Sequence, residues 1–164
     1  AMRVSPVAWV AESLSENQRL AEMSANVTHN HPEGVKGALA TADAIFLART
    51  GCSKDEIKDH VENSYGYDLS RKLDDIRPEY TFDVSCQGSV PESIICFLEA
   101  SDFEDTIRNA VSLGGDADTQ AAIAGSIASA YWDVPSDIAT KSLYILDYPL
   151  FEVFVKFMDM YGEK

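Results

Sequence analysis

Positive charge is scarce in this 164-residue sequence: 13 Lys and Arg stand against 27 Asp and Glu, a formal net charge of -14. Such a surface repels phosphate backbones and anionic lipid, which excludes non-specific nucleic-acid binding and electrostatic attachment to a membrane. Cysteine is equally sparse. Cys52, Cys86 and Cys96 are odd in number and show no CxxC or zinc-like spacing, so they read as reduced thiols of a cytoplasmic chain, with no disulfide framework. Long apolar runs, repeats and low-complexity segments are lacking, and the N-terminus has no signal-peptide pattern. The length fits a single domain over residues 1–164 with one core. What the start does have is an apolar opening, "AMRVSPVAWV", where free termini are usually polar; a tag removed, or a chain cut inside a domain, would account for it.

Helix-start signals are plentiful. Ser at an N-cap followed three residues later by Glu satisfies two orphan amides reciprocally, and four such pairs occur: Ser13 and Glu16, Ser53 and Glu56, Ser89 and Glu92, Ser101 and Glu104. The segment 31–51 adds Pro32 in a first turn, a stripe of Val35, Leu39, Ala42, Ile45 and Phe46, Arg49 in the last turn and Gly51 as the stop. Ile57 and Val61 mark a short helix, and Phe103, Ile107, Ala110 and Val111 stripe another that runs into Gly114. Leu143, Ile145, Leu150, Val153, Phe154, Phe157 and Tyr161 support two closing helices. "YTFDVSCQG" reads as an extended connection, and Pro78 ends any helix before it. The expected class is all-α.

The stretch "SLGGDADTQAAIAGSIASAYW" (112–132) carries the strongest chemical signal. Gly114 ends one helix, Gly115 permits a sharp turn, and Asp116 stands at the next N-cap. Asp118 in the first turn suits the helix dipole, but two carboxylates at one turn repel unless a cation lies between them. With the Thr119 hydroxyl they form a hard-oxygen set suited to magnesium or calcium; capping plus dipole complementation is the competing reading. The helix that follows has small residues in two rows (Ala121, Gly125, Ser129; Ala124, Ala128) and reads as central and buried. His29 and His31 could ligate a transition metal but lack a third nitrogen or sulfur ligand nearby, so a polar site wall or an N-cap competes. Cys86 would need a His base to act as a nucleophile, and otherwise belongs to a loop entering a capped helix. His60 receives no role.

Four pieces together, "AMRVSP", "THNHPEGVKGA", "QGSVPESI" and "GGDADTQAAIAGSIASAYW", resemble the ADP-ribosylglycohydrolase family, in the family's order and over nearly the whole chain. The resemblance implies an orthogonal multi-helical bundle with two magnesium ions at its centre, Asp116, Asp118 and Thr119 supplying part of the coordination. It also implies that Asp116 and Asp118 serve catalysis, and that Ala1, Met2, Arg3, Thr28, His29 and Gly115 contact ADP-ribose. His31 matches only some bacterial members. The family's upstream Thr-Asp-Asp and Gly-Asn-Gly motifs have no counterpart here, so the resemblance implies a C-terminal portion whose N-terminal part is missing. Such a chain would hold half of a two-metal site, be inactive alone, and expose faces open to self-association.

The implied activity is magnesium-dependent hydrolysis of the bond joining ADP-ribose to an acceptor, with ADP-ribose or an ADP-ribosylated protein as partner. The alternative is a non-catalytic module, crystallin-like or ADP-ribose-binding. A calcium scaffold fits less well, because "GGDADTQAAIAG" lacks EF-hand spacing and its terminal Glu.

Overall fold

The computed structural model describes residues 1–162, in which ten α-helices and no strands occur. They are α1 (Ser5–Val10), α2 (Leu14–Asn26), α3 (Pro32–Arg49), α4 (Lys54–Tyr65), α5 (Leu73–Ile76), α6 (Cys86–Glu99), α7 (Phe103–Ser112), α8 (Ala117–Tyr131), α9 (Ser136–Ile145) and α10 (Tyr148–Tyr161). The all-α expectation is met. None of these helices is long and apolar enough to cross a membrane.

Helix α3 is the axis, packed by α1, α2, α4, α6 and α8, while α6, α7 and α8 pack on one another. Its sequence suggests a stripe, yet it is buried almost all round: Gly37, Ala38, Ala40, Thr41, Ala42, Asp43, Ala44, Ile45 and Phe46 are all inside, whereas Val35 and Leu39 are only half-buried. Alanines let five neighbours approach it closely. Around it Phe97, Ile57, Ile94, Ile95, Ile123 and Ile127 fill the main core. The α8 helix buries Ile123, Ala124, Gly125, Ile127 and Ala128, and at Gly125 the tip of Ile107 from α7 packs so close that a Cβ would lie 2.7 Å from its Cδ1.

The predicted caps hold in one case and shift in others. Ser53 and Glu56 form the full reciprocal box. Ser13 accepts from the Glu16 amide, but the Glu16 carboxylate reaches Glu12 N, not Ser13 N. At Ser101 the cap moves by one residue: Asp102 accepts from Asp105 N at 2.8 Å, and the Asp105 carboxylate accepts from Ser101 N. Asp caps as well as Ser, and Asp105 completes the pair where Glu104 cannot. The Ser89 pair is not a cap at all. Helix α6 starts at Cys86, with Ser85 as N-cap, and the Ser89 hydroxyl instead donates to Ser85 O at 2.6 Å inside the helix. The connection read over 80–88 is therefore irregular only as far as Ser85. On α7 the buried line is Thr106 and Ala110, with Val111 facing out.

Helices α9 and α10 form where Leu143 to Tyr161 suggest, but neither buries a residue. Tyr144, Ile145, Tyr148, Leu150, Val153 and Met160 are well exposed.

Candidate functional site

The turn between α7 and α8 carries the acid pair. Gly114 adopts φ +79°, the left-handed region that only glycine enters freely, and ends α7. Asp116 occupies the N-cap position of α8, but its side chain makes no cap bond. Instead the two carboxylates meet: Asp118 raises the affinity of Asp116 for its proton through a shared hydrogen bond, and Asp118 is correspondingly pushed below the usual range by Asp116 and by the Thr119 amide. The Asp118 Oδ1 atom accepts from Thr119 N at 2.9 Å. The Thr119 hydroxyl and amide offset part of this at Asp116, and two carboxylates held together at a half-exposed turn are a donor set with which a cation is compatible.

Thr28 and His29 follow α2, and the N-terminal residues run beside them. Arg3 Nη2 donates to Thr28 Oγ1 at 3.3 Å, and Thr28 Oγ1 lies 2.7 Å from His29 Nδ1. Ala1, Arg3, Thr28, His29, Gly34 and Cys86 line one cavity of about 370 Å³. Met2 connects the two regions, since the Thr119 hydroxyl donates to Met2 Sδ at 3.3 Å. The structure thus gathers Ala1, Arg3, Thr28 and His29 around one cavity, and ties it through Met2 to Asp116, Asp118 and Thr119, which do not themselves line it. Gly115 lies beneath the ring of Tyr80: a Cβ there would be 2.5 Å from Tyr80 Cε1.

His31 is the N-cap of α3, its ring accepting from Glu33 N. Cys86 shares the cavity wall with His29, whose hydrogen bond goes to Thr28. Among the described residues no group of three or more His, Cys, Asp and Glu is placed to hold a metal ion. Two carboxylates and a hydroxyl are the hard-oxygen ligands this turn offers, a set that fits one side of a magnesium ion and leaves the rest to other donors.

Two polar clusters escape the sequence reading. Asp43, fully buried on α3, accepts from Asn17 Nδ2 and Gln18 Nε2 at 2.8 Å, from Tyr65 Oη at 2.5 Å, and pairs with His60 Nε2 at 2.9 Å. His60, without a role in the sequence, belongs to it. Burial and the Asp43 hydrogen bond push the Tyr65 hydroxyl far up. The second is Tyr80, which donates to Gly88 O at 2.5 Å and accepts from Gln120 Nε2 at 2.8 Å; burial pushes it up to about 12. Both join residues far apart in sequence, which no local pattern reports.

Comparison with known proteins places this all-α architecture in a family of glycohydrolases: the sequence model of the ADP-ribosylglycohydrolase family matches residues 1–148, and the chain belongs to that family. Its relatives include a protein of Archaeoglobus fulgidus, 34% identical over 145 residues, covering 79% of this chain and 48% of that protein. They also include the ADP-ribosylhydrolase ARH3 of mouse, 28% identical over 178 residues (80% of this chain, 48% of ARH3), and of human, 29% identical (80% and 49%). The chain spans about half the length of the curated relatives it matches.

Proposed function

We propose that this chain, as one domain over 1–164, supplies part of the active site of an enzyme that hydrolyses the glycosidic bond between ADP-ribose and an acceptor, with magnesium as cofactor. The observation that carries it is the acid pair: Asp116, which makes no side-chain cap bond, shares a hydrogen bond with Asp118 at the mouth of α8. Family membership and relatives bearing the name ADP-ribosylhydrolase support the reaction class. Asp116, Asp118 and Thr119 would hold the ion. When bound, magnesium would supply positive charge and lower the pKa of a bound water.

The rest falls to the chain's own groups. A carboxylate of the pair, released from its shared proton, takes the proton of the attacking water as that oxygen bonds to the ribose carbon; the acceptor leaves with the bond's electrons and gains a proton. Arg3 faces the cavity as a cation for the phosphates, which an acidic protein needs to hold an anionic ligand. Thr28 and His29 offer hydroxyl and imidazole groups to the ribose, and Ala1, Met2 and Gly115 bring backbone close. Free thiols suit action in the cytoplasm. The apolar side chains exposed on α9 and α10 support association with a second copy.

A second reading, an ADP-ribose-binding module without turnover, is favoured by one observation: the described residues place only two carboxylates at the turn, with no third acid or imidazole ligand. One experiment separates them. The protein carrying this chain is given an ADP-ribosylated peptide with magnesium, and release of ADP-ribose is followed. Turnover that falls at least about a hundredfold in Asp118→Ala supports the first reading; unchanged turnover in that variant sinks the ligand assignment, and binding without release supports the second.

A further inference from the structure

We infer that Tyr80 is the positioning residue for the Asp116–Thr119 turn and acts through Gln120; this rests on the reading of that turn as the acid site. The acid pair has little beyond itself and Thr119 to hold it from above: Asp116 makes no cap bond, and Asp118 accepts from the adjacent Thr119 amide and shares a hydrogen bond with Asp116. Its support comes from beneath. Tyr80 has one hydroxyl proton, and that proton goes to Gly88 O of α6. Toward Gln120 the hydroxyl can therefore only accept, which fixes the Gln120 amide with its NH2 on Tyr80 and its oxygen turned away.

That oxygen, Oε1, is buried without a partner on a fully buried residue, and lies 3.1 Å from the point where a Cβ on Gly115 would sit. The Tyr80 ring approaches the same point to 2.5 Å. Ring and amide thus close on Gly115 from two directions and leave no room for a side chain. One residue ties together the first turn of α6, the first turn of α8 and the glycine turn between α7 and α8. A fully buried Gln one position after Thr119 cannot rotate freely while Tyr80 holds it, so the helix that presents both carboxylates is fixed in rotation and height.

Tyr80→Phe keeps the ring against Gly115 and removes only the hydroxyl. In the native protein the Gln120 amide, which donates to Asp116 O at 2.9 Å, and the Ala121 amide should exchange about tenfold faster in this variant, while the Ile57 amide of α4 exchanges at the native rate. Titration with magnesium alone should show affinity lowered by a similar factor. Gln120→Leu should reproduce both effects, and the double variant should be no worse than the more severe single one, because the two residues act as one unit. Unchanged exchange at Gln120 in Tyr80→Phe, a matching rise at Ile57, or additive losses in the double variant would each overturn the proposal. A native protein that binds no magnesium refutes the metal reading of the turn, and the exchange measurement still decides the role of Tyr80.

Discussion

Glu92 shows how far a residue's role can sit from its local pattern. In sequence it completes a Ser89 capping pair; in the fold it is 5% exposed, with one oxygen on Arg71 Nη1 at 2.8 Å and the other buried without a partner. Burial raises its pKa and the Arg71 contact only partly offsets this. A carboxyl held higher folded than unfolded gives its full stability below the ordinary carboxylate range and loses it as pH rises through the folded value. The native protein should therefore lose more stability than Glu92→Gln as pH rises from the ordinary carboxylate range upward, as read from urea midpoints; parallel curves would show that burial is not what sets this group. Cys96 offers a sharper contrast. It is fully buried and its thiol is pushed up to about 12, chiefly by burial, whereas Cys52 and Cys86 are half-buried. A thiol reagent applied to the folded protein at about pH 8 should label Cys52 and Cys86 and spare Cys96 until denaturant is added.

At the scale of elements, capping separates what a local pattern can and cannot say. Ser53→Ala should cost about 1 kcal/mol, because it removes a real reciprocal cap, while Ser89→Ala should change stability by only a few tenths, since a hydroxyl within the helix bonded to the fourth preceding carbonyl adds little. Equal losses in chemical denaturation would contradict the shifted start of α6. The helices themselves were legible because periodicity and glycine stops are written in consecutive residues: α3 and α4 lie where Pro32, Arg49 and Ser53 place them. The acid turn was legible for the same reason, with Gly114, Asp116, Asp118 and Thr119 all local. Tyr80 with Gln120, and Asp43 with His60, were not, since each bond spans 17 residues or more. Nor could a helical period tell that α3 is enclosed on every side; only the number of neighbours decides that.

Across the whole molecule the Asp43 cluster joins α2, α3 and α4 through one carboxylate. Asp43→Ala would strand four polar partners, and should cost roughly 3–5 kcal/mol in equilibrium denaturation, far more than any cap; a loss under about 1 kcal/mol would show that the partners find others. A different consequence follows from Met2 resting on Thr119, 117 residues away along the chain. These two ends of the chain are neighbours only when the helices between them are folded, so a ligand held between them as proposed would have nothing to grip in the unfolded chain. Occupancy then becomes legible as resistance to denaturation: a ligand at a hundred times its Kd adds about 2.7 kcal/mol. Melting curves run against magnesium and ADP-ribose, separately and together, turn the fold itself into the meter of what it binds.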